Sequence, residues 1–239
     1  MSSLTVEALN LDHGLLHAVR DLSLSLASGE VVALVGANGA GKSTLLRAIA
    51  GAHRPASGRI LLDGRDITAL PAHRRVAAGI ALVPEGRRLF AQMTVEENLL
   101  LGRMSGRPGP WTVEKVIETF PNLDARRGAR AGTLSGGEQQ ATSIGRALMS
   151  NPSVLLLDEV SLGLAPLAVD RLYHSLARLM QSGTTILLVE QDLARAMRVA
   201  GRVVCLREGR VVLEGPTAAL PRETVTDAYF GLHREGVSA

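Results

Sequence analysis

A single cysteine, two lysines and six aromatic side chains (three Phe, two Tyr, one Trp) are all that 239 residues supply of those types. Lone Cys205 permits no internal disulfide, which excludes a disulfide-stapled extracellular scaffold and fits a reducing cytosol. Scarce aromatics matter because nucleic-acid surfaces interleave them with blocks of Lys and Arg. Here 26 basic residues stand against 23 acidic ones, a surplus of +3 with no basic block, so no nucleic-acid partner is expected despite a pI near 9.6. Long apolar runs are missing too. Stretches such as Val31–Val35 and Val154–Leu157 end at glycine or carboxylate, far short of the ~18 residues of a membrane-spanning helix. Met1-Ser2-Ser3-Leu4 has neither a basic nor an apolar leader region, so no export is expected. In a chain this biased to arginine, the lysines kept at 42 and 115 suggest places where a compact point charge is wanted.

What is present is ordered by period. At roughly 100–200 residues per domain, the length allows one domain or one carrying a subdomain. Leu4–Asn10 and Leu22–Leu26 alternate as half-buried strands do, and Val31–Val35 reads as a fully buried one. Apolar residues at helical spacing over Lys42–Ala50 stop at Gly51. Arg59–Leu62 and Asp66–Thr68 flank the turn Asp63-Gly64, and Ile80–Val83 is a short strand closed by Pro84. Residues 87–150 read helical: a capping box at Thr94–Glu97 opens a helix to about Leu101, 102–110 is a loop, and Val113–Phe120 is amphipathic. From Val154 strands and helices alternate: strand Val154–Leu157, helix Leu167–Met180, strand Thr184–Val189, helix Leu193–Ala200, strand Val203–Arg207, turn Glu208-Gly209, strand Val211–Leu213. The predicted class is α/β: a core over 1–86 and 151–233 with a mostly parallel sheet and an N-terminal antiparallel β subdomain, a helical subdomain inserted at 87–150, and a frayed tail at 234–239.

Three motifs carry chemistry. Gly36-Ala37-Asn38-Gly39-Ala40-Gly41-Lys42-Ser43 fits G-x-x-x-x-G-K-[ST] between a strand and a helix. Glycines let backbone N–H groups turn inward on phosphate oxygens, Lys42 offers an ammonium to the β- and γ-phosphates, and Ser43, followed by Thr44, offers a hydroxyl for Mg²⁺. Val154–Leu157 drives into Asp158-Glu159 at the carboxyl edge of a buried strand. Strand neighbours point to opposite faces, so Asp158 is expected on Mg²⁺ and Glu159 on the attacking water. Leu134-Ser135-Gly136-Gly137-Glu138 precedes a helix ending near Met149; taken alone, it is a second helix-terminal phosphate site or simply a helix N-cap.

In this order the three segments resemble the ATP-binding-cassette ATPases over essentially Leu4 to Leu232. The resemblance implies binding of ATP with Mg²⁺, and a head-to-tail dimer with a second cassette, itself or a paralogue. In such a dimer Ser135, Gly136, Gly137 and Glu138 close on the γ-phosphate held by the partner. Val83–Phe90, Met93–Leu99, Ser161–Pro166 and Val189-Glu190-Gln191 resemble the smaller ATPase subunit of high-affinity branched-chain amino acid importers. This implies two membrane permease subunits as partners, an extracytoplasmic solute-binding protein engaged indirectly, and a place on the cytoplasmic face of the cell membrane. It also implies that Glu85 meets Mg²⁺ and that Gln191 sits where a switch histidine usually contacts the γ-phosphate. His13 stands where an adenine-stacking aromatic is usual, Val160 replaces a proline, and Ala141-Thr142-Ser143 is more polar than this helix normally is, which puts its packing in question. Importers of urea or short amides share these motifs, and a soluble cassette acting on ribosomes or DNA is the alternative of a different class. A phosphotransferase on the same loop would leave Ser135–Gly137 without a purpose.

Overall fold

The computed structural model describes residues 3–180 and 183–232, so the tail expected at 234–239 lies outside the described residues. Strands β1 (Leu4–His13), β2 (Leu16–Leu26), β4 (Ser57–Leu62) and β5 (Arg65–Asp66) form an antiparallel sheet in the order β2-β1-β4-β5. The second sheet runs β10-β9-β3-β8-β7-β6, from β3 (Val31–Val35), β6 (Ile80–Val83), β7 (Val154–Asp158), β8 (Thr185–Val189), β9 (Arg202–Arg207) and β10 (Arg210–Pro216). All its pairings are parallel except the β9–β10 edge hairpin, which turns at Glu208-Gly209.

Both faces of this sheet are covered, which is why its central strands are continuous apolar runs rather than alternating ones. The pleat sorts each run. Val154 and Leu156 face the antiparallel sheet and helix α1 (Lys42–Ile49), whereas Leu155 and Leu157 face the helices inserted between β6 and β7. Those are α3 (Val95–Leu101), α4 (Val113–Thr119) and α5 (Gly136–Leu148), with α6 (Pro166–Met180) completing the layer. On β3, Val32 and Leu34 join the first cluster while Ala33 and Val35 pack with β9, α7 (Leu193–Val199) and α8 (Arg222–Phe230).

Two helices carry too little apolar periodicity to be read from sequence. In α8 the only buried residue is Val225. In α2 (Ala72–Ala78) it is Arg75, 1% exposed. Its guanidinium donates to the carbonyls of Ala48 (2.6 Å) and Ile49 (2.8 Å) at the end of α1, and to those of Leu70 and Thr68. A buried charge with four carbonyl acceptors replaces the water those groups would lose and fastens the far end of the phosphate-loop helix. Among the described residues no helix is long and apolar enough to cross a membrane.

The expected disturbance from Ala141-Thr142-Ser143 is absent. Thr142 Oγ1 donates to the Glu138 carbonyl and Ser143 Oγ to the Arg87 carbonyl, both at 2.8 Å, so the buried hydroxyls are satisfied. Val160, where proline was usual, is buried in the cluster under α5 and α6.

Candidate functional site

Four neighbouring parallel strands end on one edge, and the segment after each contributes. Sheet order β3-β8-β7-β6 places residues 36–43, then 190–191, then 158–159, then Glu85 side by side. A cleft of 330 Å³ opens there, lined by Ala18, Asn38, Gly39, Gly41, Lys42, Ser43, Thr44, Glu85, Glu159, Leu162 and Gln191.

The phosphate loop is shaped by contacts only glycine allows. Gly36 has φ +151°, and a Cβ there would lie 2.2 Å from the Leu206 carbonyl; at Gly41, φ +101°, it would lie 2.3 Å from that of Ala18. The loop closes on Lys42, 4% exposed, whose Nζ donates to the carbonyls of Gly36 (2.7 Å) and Ala37 (3.0 Å) and lies 4.0 Å from Glu159 Oε1. Burial pulls the lysine pKa down, and the carboxylates of Glu159 and Asp158 oppose that pull. No side chain caps α1 and no acid sits in its first turn, so its N–H groups and positive end are free for an anion.

Asp158 ends β7 in register with Val189, and its Oδ1 accepts from Ser43 Oγ at 2.8 Å. Burial raises its pKa, and Oδ2, buried, has no hydrogen-bond partner among the described residues. An orphaned carboxylate oxygen beside a hydroxyl and near a second acid, Glu85, suits a hard divalent cation with oxygen ligands.

Glu159 follows the last residue of β7 and lines the cleft. Its φ is +48°, a left-handed conformation costing about 1–2 kcal/mol for an L-residue. Its N–H donates to the Val189 carbonyl (3.1 Å), and its Oε2 accepts from Gln191 Nε2 at 2.7 Å. A carboxylate aimed into the cleft and oriented by an amide can receive a proton from water.

Ser135, Gly137 and Glu138 line a different cavity, of 240 Å³, between α5 and α6. Ser135 caps α5 in a capping box: its Oγ accepts from Glu138 N–H, and Glu138 Oε2 accepts from Ser135 N–H at 2.8 Å. Arg126 holds the other Glu138 oxygen at 3.1 Å. His13 also lies outside the cleft lining: it ends β1, exposed, with its ring stacked on His53 at 5.9 Å between centroids.

Sequence reasoning missed Ala18 and Leu162 in the cleft, small or apolar residues with no chemical signature. Glu190 carries the signal that marks Asp158, a buried apolar strand running into an acid.

Residues 19–161 match the model of the ABC transporter family, and the chain belongs to that family as an ATP-binding cassette. Curated relatives include the high-affinity branched-chain amino acid transport ATP-binding protein BraG of Pseudomonas aeruginosa, 45% identical over 95% of this chain and 99% of its own. The chain is also similar to a probable branched-chain amino acid transport ATP-binding protein of Archaeoglobus fulgidus, 37% identical over 87% of this chain and 89% of that one. A lipopolysaccharide export system ATP-binding protein of Haemophilus influenzae is 32% identical over 97% and 98%. Among solved structures, a nucleotide-free ATP-binding cassette from an ABC transporter superposes with a TM-score of 0.83 at 27% identity, covering 96% of this chain and 99% of the other. The protein is therefore an ATPase subunit of an ABC transporter, with the fold expected of one.

Proposed function

We propose that this chain drives import of branched-chain or other hydrophobic amino acids, hydrolysing ATP on the cytoplasmic face of the membrane beneath two permease subunits, with an extracytoplasmic solute-binding protein delivering cargo. The observation that supports import is the 45% identity, over 95% of this chain, to a branched-chain amino acid transport ATP-binding protein, and the division of the site supports a second cassette: Lys42, Ser43, Glu85, Glu159 and Gln191 share one cleft, while Ser135 and Gly137 face another. A cleft without the second anion-binding helix terminus is completed by a second cassette, itself or a paralogue, packed head to tail.

The residues divide the work. Residues 36–44 cradle the triphosphate with backbone N–H groups, and Lys42 neutralises charge on its β- and γ-oxygens. His13 offers adenine a flat ring, backed by His53. Ser43, Asp158 and Glu85 would hold Mg²⁺ through a hydroxyl and two carboxylates, and the ion would supply positive charge against the negative charge developing on the phosphate. Glu159 orients and polarises the attacking water, and Gln191, which donates but carries no charge, fixes the Glu159 carboxylate and reaches the γ-phosphate. The partner cassette's counterparts of Ser135, Gly136 and Gly137 close over that phosphate, and release of the phosphate lets the dimer open.

The test is a pull-down from native membranes of tagged Glu159→Gln protein with ATP, read by mass spectrometry. Two polytopic proteins and a second cassette, encoded with a binding protein for branched-chain amino acids, are expected. Ribosomal or DNA-repair partners, or lipid-export components, would overturn the import reading.

A further inference from the structure

The strand that presents Gln191 delivers, one residue earlier, a carboxylate that does not line the cleft. Glu190 is 2% exposed. Its Oε2 accepts from Ser161 Oγ at 2.9 Å and its Oε1 from the Tyr173 hydroxyl. Both donors belong to the segment that Glu159 launches: Ser161 sits in the turn after it, and Tyr173 on the helix α6 that the turn feeds. An apolar side chain would fill this buried position as Val189 fills its own, without the desolvation of a carboxylate. Two directed hydrogen bonds add what apolar packing lacks, a fixed placement of the end of β7 against the end of β8.

That placement matters at one point. Glu159 occupies a left-handed backbone region, φ +48°, that L-residues avoid and that persists only where surrounding contacts over-determine it. The contacts come from both sides: Gln191 Nε2 on the Glu159 carboxylate facing the cleft, and Glu190 on Ser161 behind it. We infer that Glu190, acting through Ser161 and Tyr173, is a positioning residue that holds Glu159 and Gln191 in register for attack on the γ-phosphate. The inference rests on the reading of Glu159 as the group that orients the water.

The test uses the full chain, measuring steady-state ATP hydrolysis and, separately, the Kd for a fluorescent ATP analogue. Tyr173→Phe is expected to lower kcat about ten- to a hundredfold, the size of one lost bond to a charged group, and Glu190→Ala, which loses both bonds, at least as much. KM and Kd stay within about twofold, because the phosphate loop is untouched. Glu190→Gln, which keeps an acceptor and can reorient toward both hydroxyls, recovers most of the rate. In a Gln191→Ala background the Tyr173→Phe loss shrinks to less than about twofold, since the pair it serves is already broken. Equal losses in the two backgrounds, a matching loss of nucleotide affinity, or wild-type kcat in Tyr173→Phe would overturn the proposal. The reading beneath it fails separately, if Glu159→Gln turns over ATP normally.

Discussion

Lys42 and Glu159 face each other across 4.0 Å, and substitution separates the roles proposed for them. The ammonium is held by two loop carbonyls that a bound triphosphate would outcompete, so Lys42→Ala should weaken ATP binding about a hundredfold, as titration calorimetry would read. Glu159→Gln keeps the shape and the Gln191 contact but loses the base. ATP affinity should be retained while hydrolysis drops by roughly two orders of magnitude, and near-normal turnover would remove Glu159 from that role. Gly36→Ala tests the loop itself: a methyl group 2.2 Å from the Leu206 carbonyl cannot be accommodated without moving β3 from β9, so both nucleotide binding and thermal stability should fall. Residue types and spacing marked all these positions because the chemistry is local: one loop, one strand end. The contact of Gln191 with Glu159, 32 residues apart, is not local, and no spacing rule encodes it.

At the scale of elements, caps and pleats were the readable features. The Thr94–Glu97 capping box is present with both reciprocal bonds, and Thr94→Ala should cost about 1 kcal/mol. In a chain of this size, that lowers the melting midpoint by roughly 2–4 °C in calorimetry. Leu156, fully buried between the sheets, should cost about 2–5 kcal/mol when cut to alanine, the spread reflecting how far the cavity collapses. Helices α2 and α8 were invisible for a physical reason: each buries one residue, so neither shows the 3.6-residue apolar repeat. The first two strands run longer than the alternation over Leu4–Asn10 and Leu22–Leu26 indicates. The register runs on to His13↔Leu16, and Leu15 and Leu16 lie exposed at the hairpin end because no layer covers it.

For the whole molecule, Arg202 joins parts that the chain order keeps far apart. From β9 it reaches Glu30 before β3 (Nε to Oε1, 2.6 Å; Nη2 to Oε2, 2.9 Å), Glu214 on β10, and the Ser25 carbonyl on β2. The paired guanidinium holds the Glu30 carboxyl below its ordinary value of 4.5. A depressed folded-state pKa gives stability that is present above the unfolded value and lost as pH falls through the folded one. The melting midpoint of wild type should therefore exceed that of Glu30→Gln at pH 6, and the gap should close as pH falls below about 4.5. A gap independent of pH would show that packing, not the charge pair, joins the two sheets here. Buried Cys205, its thiol pushed up to about 11, holds too little thiolate to react at neutral pH.

The phosphate loop, the acids at a strand end, the capped helix after Leu134 and the α/β class are legible along the chain, since each depends on residues within a turn or two of one another. That strands met in the order 3, 6, 7, 8 along the chain lie as 3, 8, 7, 6 in the sheet is visible only once the chain is folded. That order sets Ser43 against Asp158 across 115 residues and Glu190 behind Glu159. Strand order follows from the burial of whole faces on both sides of a sheet, a sum over the molecule that no local pattern contains.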